Sequence, residues 1–297
     1  MYGPGKISRN FIHRYLNIER GSIYQKDKLG KINQRLLELP YLEQLQPWDV
    51  TMLNTGSIVN LYLAQKKSNQ INVLAGFLPS NQQFGGKLLL TVDANLQLQN
   101  AFGTGESVGL VWQQIQPKSP RLHLQYTQPY LFNSPFGIDF LFELYKKDSS
   151  FLNINGQFGL LYMLSPNRTG KLTLQTLRTN VLDVGTFRVK AFKRLPDIAD
   201  VSSINLGMEY DIANTNYRFN PGSGNELTIA ASAGNKSIRK NSAIIQIKDP
   251  SFNYNRLYDT VKLKTYQLRL RLKAAQYFSV GKQAVLKAGV NLSLIHI

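Results

Sequence analysis

Two carboxylates mark the clearest place where this sequence could do chemistry. Asp139 and Glu143 stand four residues apart in Phe136-Gly-Ile-Asp-Phe-Leu-Phe-Glu-Leu-Tyr145. That run alternates as a strand does, so both side chains fall on one face. Paired carboxylates can divide acid and base roles. On a strand whose neighbours carry Asn and Gln they are equally ordinary as water-facing acids. Nothing else in the chain supports catalysis. Gly103-Thr-Gly-Glu-Ser107 is not a nucleophile elbow. Gly86-Lys87 is followed by Leu88, and Asn81 stands where a Walker A loop needs its first glycine. There are no cysteines, and His13, His123 and His296 are scattered, so a thiolate or histidine metal site is not expected. Asn167-Arg-Thr169 matches a glycosylation sequon, a tripeptide that chance produces often. The expectation is a protein without catalytic residues, cofactor or metal, and not an enzyme.

The elements must then carry the function. The chain has 297 residues, with 43% hydrophobic and 18% charged residues and a formal net charge of +17. This composition excludes a disordered chain, a collagen-like repeat and a coiled coil. The opening Met1-Tyr-Gly-Pro-Gly-Lys6 holds no apolar run, so no signal peptide is visible. The uncharged stretch Ser149–Asn167 is the best candidate for a membrane helix. It carries Asn153, Asn155 and Gln157 at every second position, which is a strand's pattern and not that of a spanning helix.

The first seventy residues differ from the rest. Ser8 is placed to cap a helix bearing Phe11, Ile12, Tyr15 and Leu16, with Gly21 to end it. A second helix aligns Leu29, Ile32, Leu36 and Leu39 on one stripe before Pro40. Strands follow at Gln44–Leu53 and Ile58–Ala64. From Ile71 onward the period is two. Lys87–Asn100, Arg121–Thr127, Ile204–Tyr210, Tyr266–Ala274 and Ala284–Leu294 all set apolar residues on one face and polar residues on the other. About eleven such strands are visible, many near the ~10-residue length of a membrane strand. Either one face meets water and the other a core, or one meets lipid and the other an aqueous lumen. Length and regularity favour the second.

Short Gly- and Pro-containing links at 100–105 and 129–137 contrast with longer charged connections at 183–201 and 235–261. Trp112, Tyr126, Tyr130, Phe132 and Phe136 gather near strand ends, as an interfacial aromatic belt does. Lys87, Arg121, Arg269, Arg271, Lys273 and Lys287 occupy polar strand positions and read as a hydrated lumen. Loop cations such as Lys118, Lys146, Lys147, Lys236, Arg239 and Lys240 suit anionic lipid head groups. Interleaved in this way, the cations form no single patch for nucleic acid, and no nucleic-acid partner is expected.

Taken in succession, these residues resemble the BamA-like family of outer-membrane β-barrel assembly proteins. The helix–helix–strand–strand start, with Gly21 before Tyr24 and Leu36-x-x-Leu-Pro-Tyr41, is similar to the last periplasmic POTRA module without its first strand. Ile71-Asn-Val-Leu-Ala-Gly-Phe-Leu78 resembles the first barrel strand. Asn100-Ala-Phe-Gly-Thr-Gly-Glu106, Leu124-Gln-Tyr-Thr-Gln-Pro-Tyr130 and Pro135-Phe-Gly137 resemble the family's early turns. The family's Arg-Gly-Phe or Arg-Gly-Tyr loop motif and final aromatic-ended strand have no counterpart before Ile297.

The resemblance implies a mainly β fold: an incomplete transmembrane antiparallel β-barrel, residues 69–297, preceded by a partial α/β POTRA module, residues 1–68. It implies a fragment of a longer reading frame, located in the outer membrane with its N-terminal module in the periplasm. The implied function is insertion of other β-barrels by strand pairing at a lateral seam. The seam strand is Ile71, Asn72, Val73, Leu74, Ala75, Gly76, Phe77 and Leu78, with Gly76 and Pro79 weakening the edge. Gln46, Trp48, Val50 and Met52 lie on the implied edge strand of the POTRA module. Implied partners are unfolded outer-membrane β-barrel proteins, periplasmic or lipoprotein partners of the POTRA module, and outer-membrane lipid. The alternatives are a POTRA-barrel transporter that secretes a polypeptide, and a barrel that anchors a surface enzyme.

Overall fold

The computed structural model describes residues 1–4, 6–78, 89–217, 220–281 and 284–296. Near the N-terminus are helices α1 (Arg9–Leu16), α2 (Lys26–Gly30) and α3 (Ile32–Leu37), then strands β1 (Leu42–Leu53) and β2 (Gly56–Gln65) in an antiparallel hairpin. Phe11, Ile12, Leu16, Leu29, Ile32, Leu36, Leu61 and Leu63 form a closed apolar core between helices and hairpin. Three local expectations need correction. Ser8 makes no side-chain cap; its N–H donates instead to Gly103 O at 2.6 Å. Asn17, not Gly21, ends α1, in the left-handed conformation that a short polar side chain tolerates. The expected second helix is broken at Lys31 into α2 and α3, although its leucine stripe is buried as a unit.

The rest of the chain forms an eleven-stranded, wholly antiparallel sheet in sequence order. Its strands are β3 (Gln70–Leu78), β4 (Leu89–Gln99), β5 (Ser107–Gln114), β6 (Arg121–Gln128), β7 (Phe136–Lys147), β8 (Phe151–Ser165), β9 (Arg168–Val181), β10 (Asp200–Thr215), β11 (Gly224–Arg239), β12 (Lys264–Val280) and β13 (Ala284–His296). The first residues of the Lys87–Asn100 run, with Gly86 and Pro79, lie outside the described residues, as do Gln283 and Ile297. The sheet is not closed: β3 and β13 are its two edges, and neither has a second partner among the described residues. No described helix is long and apolar enough to cross a membrane.

Burial along β10 shows which face meets what. Ser203 and Asn205 are 3% and 4% exposed, whereas Ile204 and Leu206 between and beyond them are 54% and 64% exposed. The polar face is covered and the apolar face is open, the reverse of a strand half buried in a water-soluble domain. The same open face continues across the sheet through Phe158, Leu160, Leu172, Leu174, Leu270, Leu292 and Leu294. Among the described residues no second layer packs against it.

The two ends of the sheet are unlike. At one end, the 100–106 and 129–135 connections and Asn216 receive the N-terminal module. Asn100 Nδ2 donates to Lys6 O at 3.1 Å, Arg14 Nε to Asn133 O at 3.0 Å, and Gln34 Nε2 to Asn216 O at 2.8 Å. At the other end, the connections 182–199 and 240–263 fold over the strand ends as a cap. The cap contains α4 (Thr186–Phe192), α5 (Ser242–Ile245) and a short turn at Tyr254–Tyr258. Val184, Val189, Ile244, Tyr254 and Tyr258 make its core. Asp200 fastens the cap to the sheet, accepting from Val181 N at 2.8 Å and Asn241 Nδ2 at 2.5 Å. The expected loop at 235–261 is shorter than the sequence implied, because β11 runs on to Arg239.

Candidate functional site

Strand β3 carries one of the two exposed sheet edges, β13 the other. The residues of β3 pair with β4 alone, Val73 opposite Ala94, Ala75 opposite Val92 and Gly76 opposite Thr91. Ile71, Val73, Leu74 and Phe77 are all exposed, so both faces of this strand are more open than those of the strands inside the sheet. Their other side presents a row of backbone donors and acceptors that no described residue satisfies. A side chain added at Gly76 would meet Thr91 Oγ1 at 3.2 Å, so the glycine keeps β3 and β4 close without packing of its own. Asn72 stands opposite Asn95 and Leu78 opposite Leu89, and Gln70 and Leu78 are the ends of the edge.

A second edge lies in the N-terminal module. Among the described residues β1 pairs on one side only, with β2. The other edge of β2 is touched by Tyr2 in a parallel bridge, through Tyr2 N to Leu61 O at 2.8 Å and Leu63 N to Tyr2 O at 2.9 Å. Pro47 lies in β1 within the register shift between Gln46 and Asp49, as an edge strand tolerates. Trp48 and Val50 pack against the helices, Gln46 stands opposite Tyr62, and Met52 is exposed. The backbone of this strand, more than its side chains, is therefore what the edge offers. Asp49, opposite Asn60, accepts from Asn60 Nδ2 at 2.6 Å and Tyr62 Oη at 2.7 Å. These two hydrogen bonds hold its carboxyl below the usual range. At the hairpin tip, Ile23, Tyr24, Met52 and Ile58 line an open apolar groove.

The polar face of the sheet resolves the two carboxylates. Asp139 and Glu143 do share a face, but each has its own partner. Asp139 Oδ2 accepts from Lys171 Nζ at 2.6 Å, reaching across β8. Gly159 makes that reach possible, since a Cβ there would lie 1.8 Å from Asp139 Oδ1 and 2.7 Å from Lys171 Cε. Glu143 is 3.1 Å from His123 Nδ1 and accepts from Asn155 Nδ2 at 2.8 Å; Gln175 Nε2 extends the network to Asn155 Oδ1 at 3.1 Å. Farther along, Arg271 pairs with Glu209 at 2.6 Å, while Arg121 and Lys287 lie over the rings of Tyr145 and Tyr277. The arrangement is a hydrogen-bonded ladder of alternating charge and amide. No group of three or more metal-ligating side chains occurs among the described residues.

The five aromatic residues fall at different levels. Trp112 is on the open face, in the row Ala94–Trp112–Leu122. Tyr126 donates to Gln128 Oε1 at 3.1 Å, Phe136 stacks obliquely on Tyr162 at 5.1 Å, and Phe132 is fully exposed on its turn. Tyr130 packs edge-on against Phe11 at 5.8 Å and so belongs to the docking of the N-terminal module. Sequence reasoning missed that docking contact. Its signal was Gly105 at positive φ: a Cβ there would lie 2.0 Å from Phe11 Cε2.

No protein-family model matches the chain, and no curated protein matches it. Among solved structures, the chain is similar to the crystal structure of BamA from Haemophilus ducreyi lacking POTRA domains 1–3. The two share 15% identity at a TM-score of 0.46, over 97% of this chain and 53% of that one. The chain thus spans about half the length of that structure.

Proposed function

We propose that this chain forms a β-barrel wall in a bacterial outer membrane and assembles other β-barrel proteins there by offering β3 as a template strand. The observation that carries the reading is the inverted burial along β8–β11, apolar side out and polar side covered, together with an unpaired, apolar edge at Ile71–Leu78. In hydrocarbon an unsatisfied backbone group costs several kcal/mol. An edge that is free in the membrane is therefore driven to accept an incoming strand. The N-terminal module, read as a periplasmic POTRA module, sits at the end of the sheet where the incoming chain would arrive. Its own β1 edge and apolar groove suit capture of unfolded outer-membrane proteins or a periplasmic partner by strand addition.

Val73→Pro and Ala75→Pro each remove one donor from β3. In proteoliposomes, either variant should slow the folding of a denatured small β-barrel to the rate of empty vesicles, while Val73→Ala retains activity. Unchanged insertion by a proline variant that is itself folded in the bilayer overturns the reading. A second reading, secretion of a polypeptide through the lumen, is favoured by the cationic polar face at Arg269, Arg271 and Lys273. In that case charge reversal on this face would block activity and proline in β3 would not.

A further inference from the structure

The open face of β9–β12 changes character toward the capped end. The row Leu174–Leu206–Ala233–Leu268 is apolar. Two residues on, the next outward row is Thr176–Ile204–Asn235–Tyr266, and the Tyr266 ring is almost wholly exposed. Two residues further stands the row Arg178–Ser202–Ser237–Lys264. Leucine, then tyrosine, then cation is the order expected on crossing from hydrocarbon into head groups. At ~3.3 Å per residue the cations stand about 13 Å above the leucine row.

The third row is built as a trough. Arg178 and Lys264 are exposed at its ends. Between them two strands carry only serine, leaving a gap of about 14 Å at ~4.8 Å per strand. Just beyond, Arg239 donates to Asn180 across β10 and so lies over the same face, and Lys262 is exposed beside Lys264. The acid on the open face of these strands, Asp200, is buried with both oxygens occupied by Val181 N and Asn241 Nδ2. Strands β9 and β12 contain no Asp or Glu, and Glu209, Asp211 and Glu226 alternate onto the polar face. At the opposite end of the same four strands the open face carries a single cation, Arg168, opposite Ile212.

We propose that Arg178, Arg239, Lys262 and Lys264 bind the head group of a membrane lipid carrying more than one phosphate, with its acyl chains on the leucine row below. Two cation pairs separated by a serine trough match a head group with separated phosphates better than a single-phosphate lipid, and the apolar rows beneath supply what a free anion lacks. The proposal rests on the reading that this face meets a bilayer.

The full chain, with Trp48 and Trp112 replaced by Phe and with Leu206→Trp as reporter, is placed in phosphatidylcholine vesicles. Quenching is compared for brominated phosphatidylcholine and for a chain-brominated, bis-phosphorylated glucosamine lipid. The phosphorylated lipid should quench in clear preference to phosphatidylcholine. That preference should fall about fivefold for each cation changed to Gln and survive Arg178→Lys. Phosphatidylcholine quenching should be the same in every variant. Equal quenching by both lipids, preference that survives neutralising all four cations, or displacement by inorganic phosphate or a soluble polyanion overturns the lipid site while leaving the membrane reading standing. No quenching by phosphatidylcholine overturns both.

Discussion

In the N-terminal module, Ile12, Ile32 and Leu63 are sealed between helices and hairpin; in β10, Ile204, Leu206 and Met208 stand open while Ser203 and Asn205 beside them are covered. One chain thus treats the same residue types in opposite ways. Apolar area leaves water in both regions if the solvent of the second is lipid. In the module the partner of each leucine is another side chain, and closure costs the packing precision of a core. On the membrane reading proposed above, the partner in the sheet lies outside the protein, and the constraint moves to the polar face, where Asp139 has Lys171 as its counterpart.

A pair of substitutions tests that contrast most severely. Ile32→Ala leaves a cavity in the module core and should cost about 2–5 kcal/mol of its stability in any medium. Leu206→Arg should cost about 2–4 kcal/mol in a bilayer, because the row of Leu206 lies well below the cation row at Ser202. Urea titrations in vesicles, with Trp48 reporting the module and a gel-mobility shift reporting the sheet, separate the two. If Leu206→Arg is neutral while Ile32→Ala is not, the open face does not meet lipid and the contrast collapses.

A milder change sharpens how the regions are joined. Gly105 has φ +79° and faces the Phe11 ring at a distance no Cβ can occupy. Gly105→Ala should weaken docking by about 1–3 kcal/mol through overpacking and backbone strain, leaving each region folded. Limited proteolysis between module and sheet should accelerate, and Phe11→Ala should restore the variant in part by removing the ring that clashes.

Much of the sheet was legible because period-two alternation is a local property. The Arg121–Thr127 run is β6 within one residue, and the Ile71–Leu78 run is β3 within one. Alternation could not say which face meets solvent, since a core and a bilayer ask for the same leucines; only the relative exposure of Asn205 and Leu206 decides it. The polar ladder was equally hidden. Asp139 finds Lys171 across an intervening strand, a pairing that depends on the register of β7, β8 and β9 and on the missing side chain at Gly159. The cap escaped notice because its helices are short, four and seven residues, and its core draws on segments far apart in the chain. Asn241, which accepts from Ala243 N at 3.0 Å to start α5, and Asn253, which accepts from Asn255 N at 3.0 Å to start the 254–258 turn, were its local signals.

The smallest expected effect concerns the turn on which the module rests. Glu106 is buried, and burial alone would raise its pKa. Against that, Phe102 N donates to Oε1 at 2.6 Å, and Thr104 donates to Oε2 from its hydroxyl at 2.7 Å and its N–H at 3.1 Å. The hydrogen bonds prevail, and the carboxyl is held below its ordinary value of 4.5. A carboxyl depressed in the folded state binds its proton more readily when unfolded, so stability falls as pH falls. The contribution is whole above the ordinary carboxylate value and disappears as pH drops through the folded one. Glu106→Gln keeps an acceptor but loses the charge, and should cost about 1 kcal/mol at neutral pH. Trp48 fluorescence in urea at successive pH values should show the parent's midpoint descending toward that of Glu106→Gln in acid. Parallel curves for the two proteins across this range would mean that the turn is held by Asn100 and Gly103 alone, and that the charge of Glu106 does not secure the junction of the two regions.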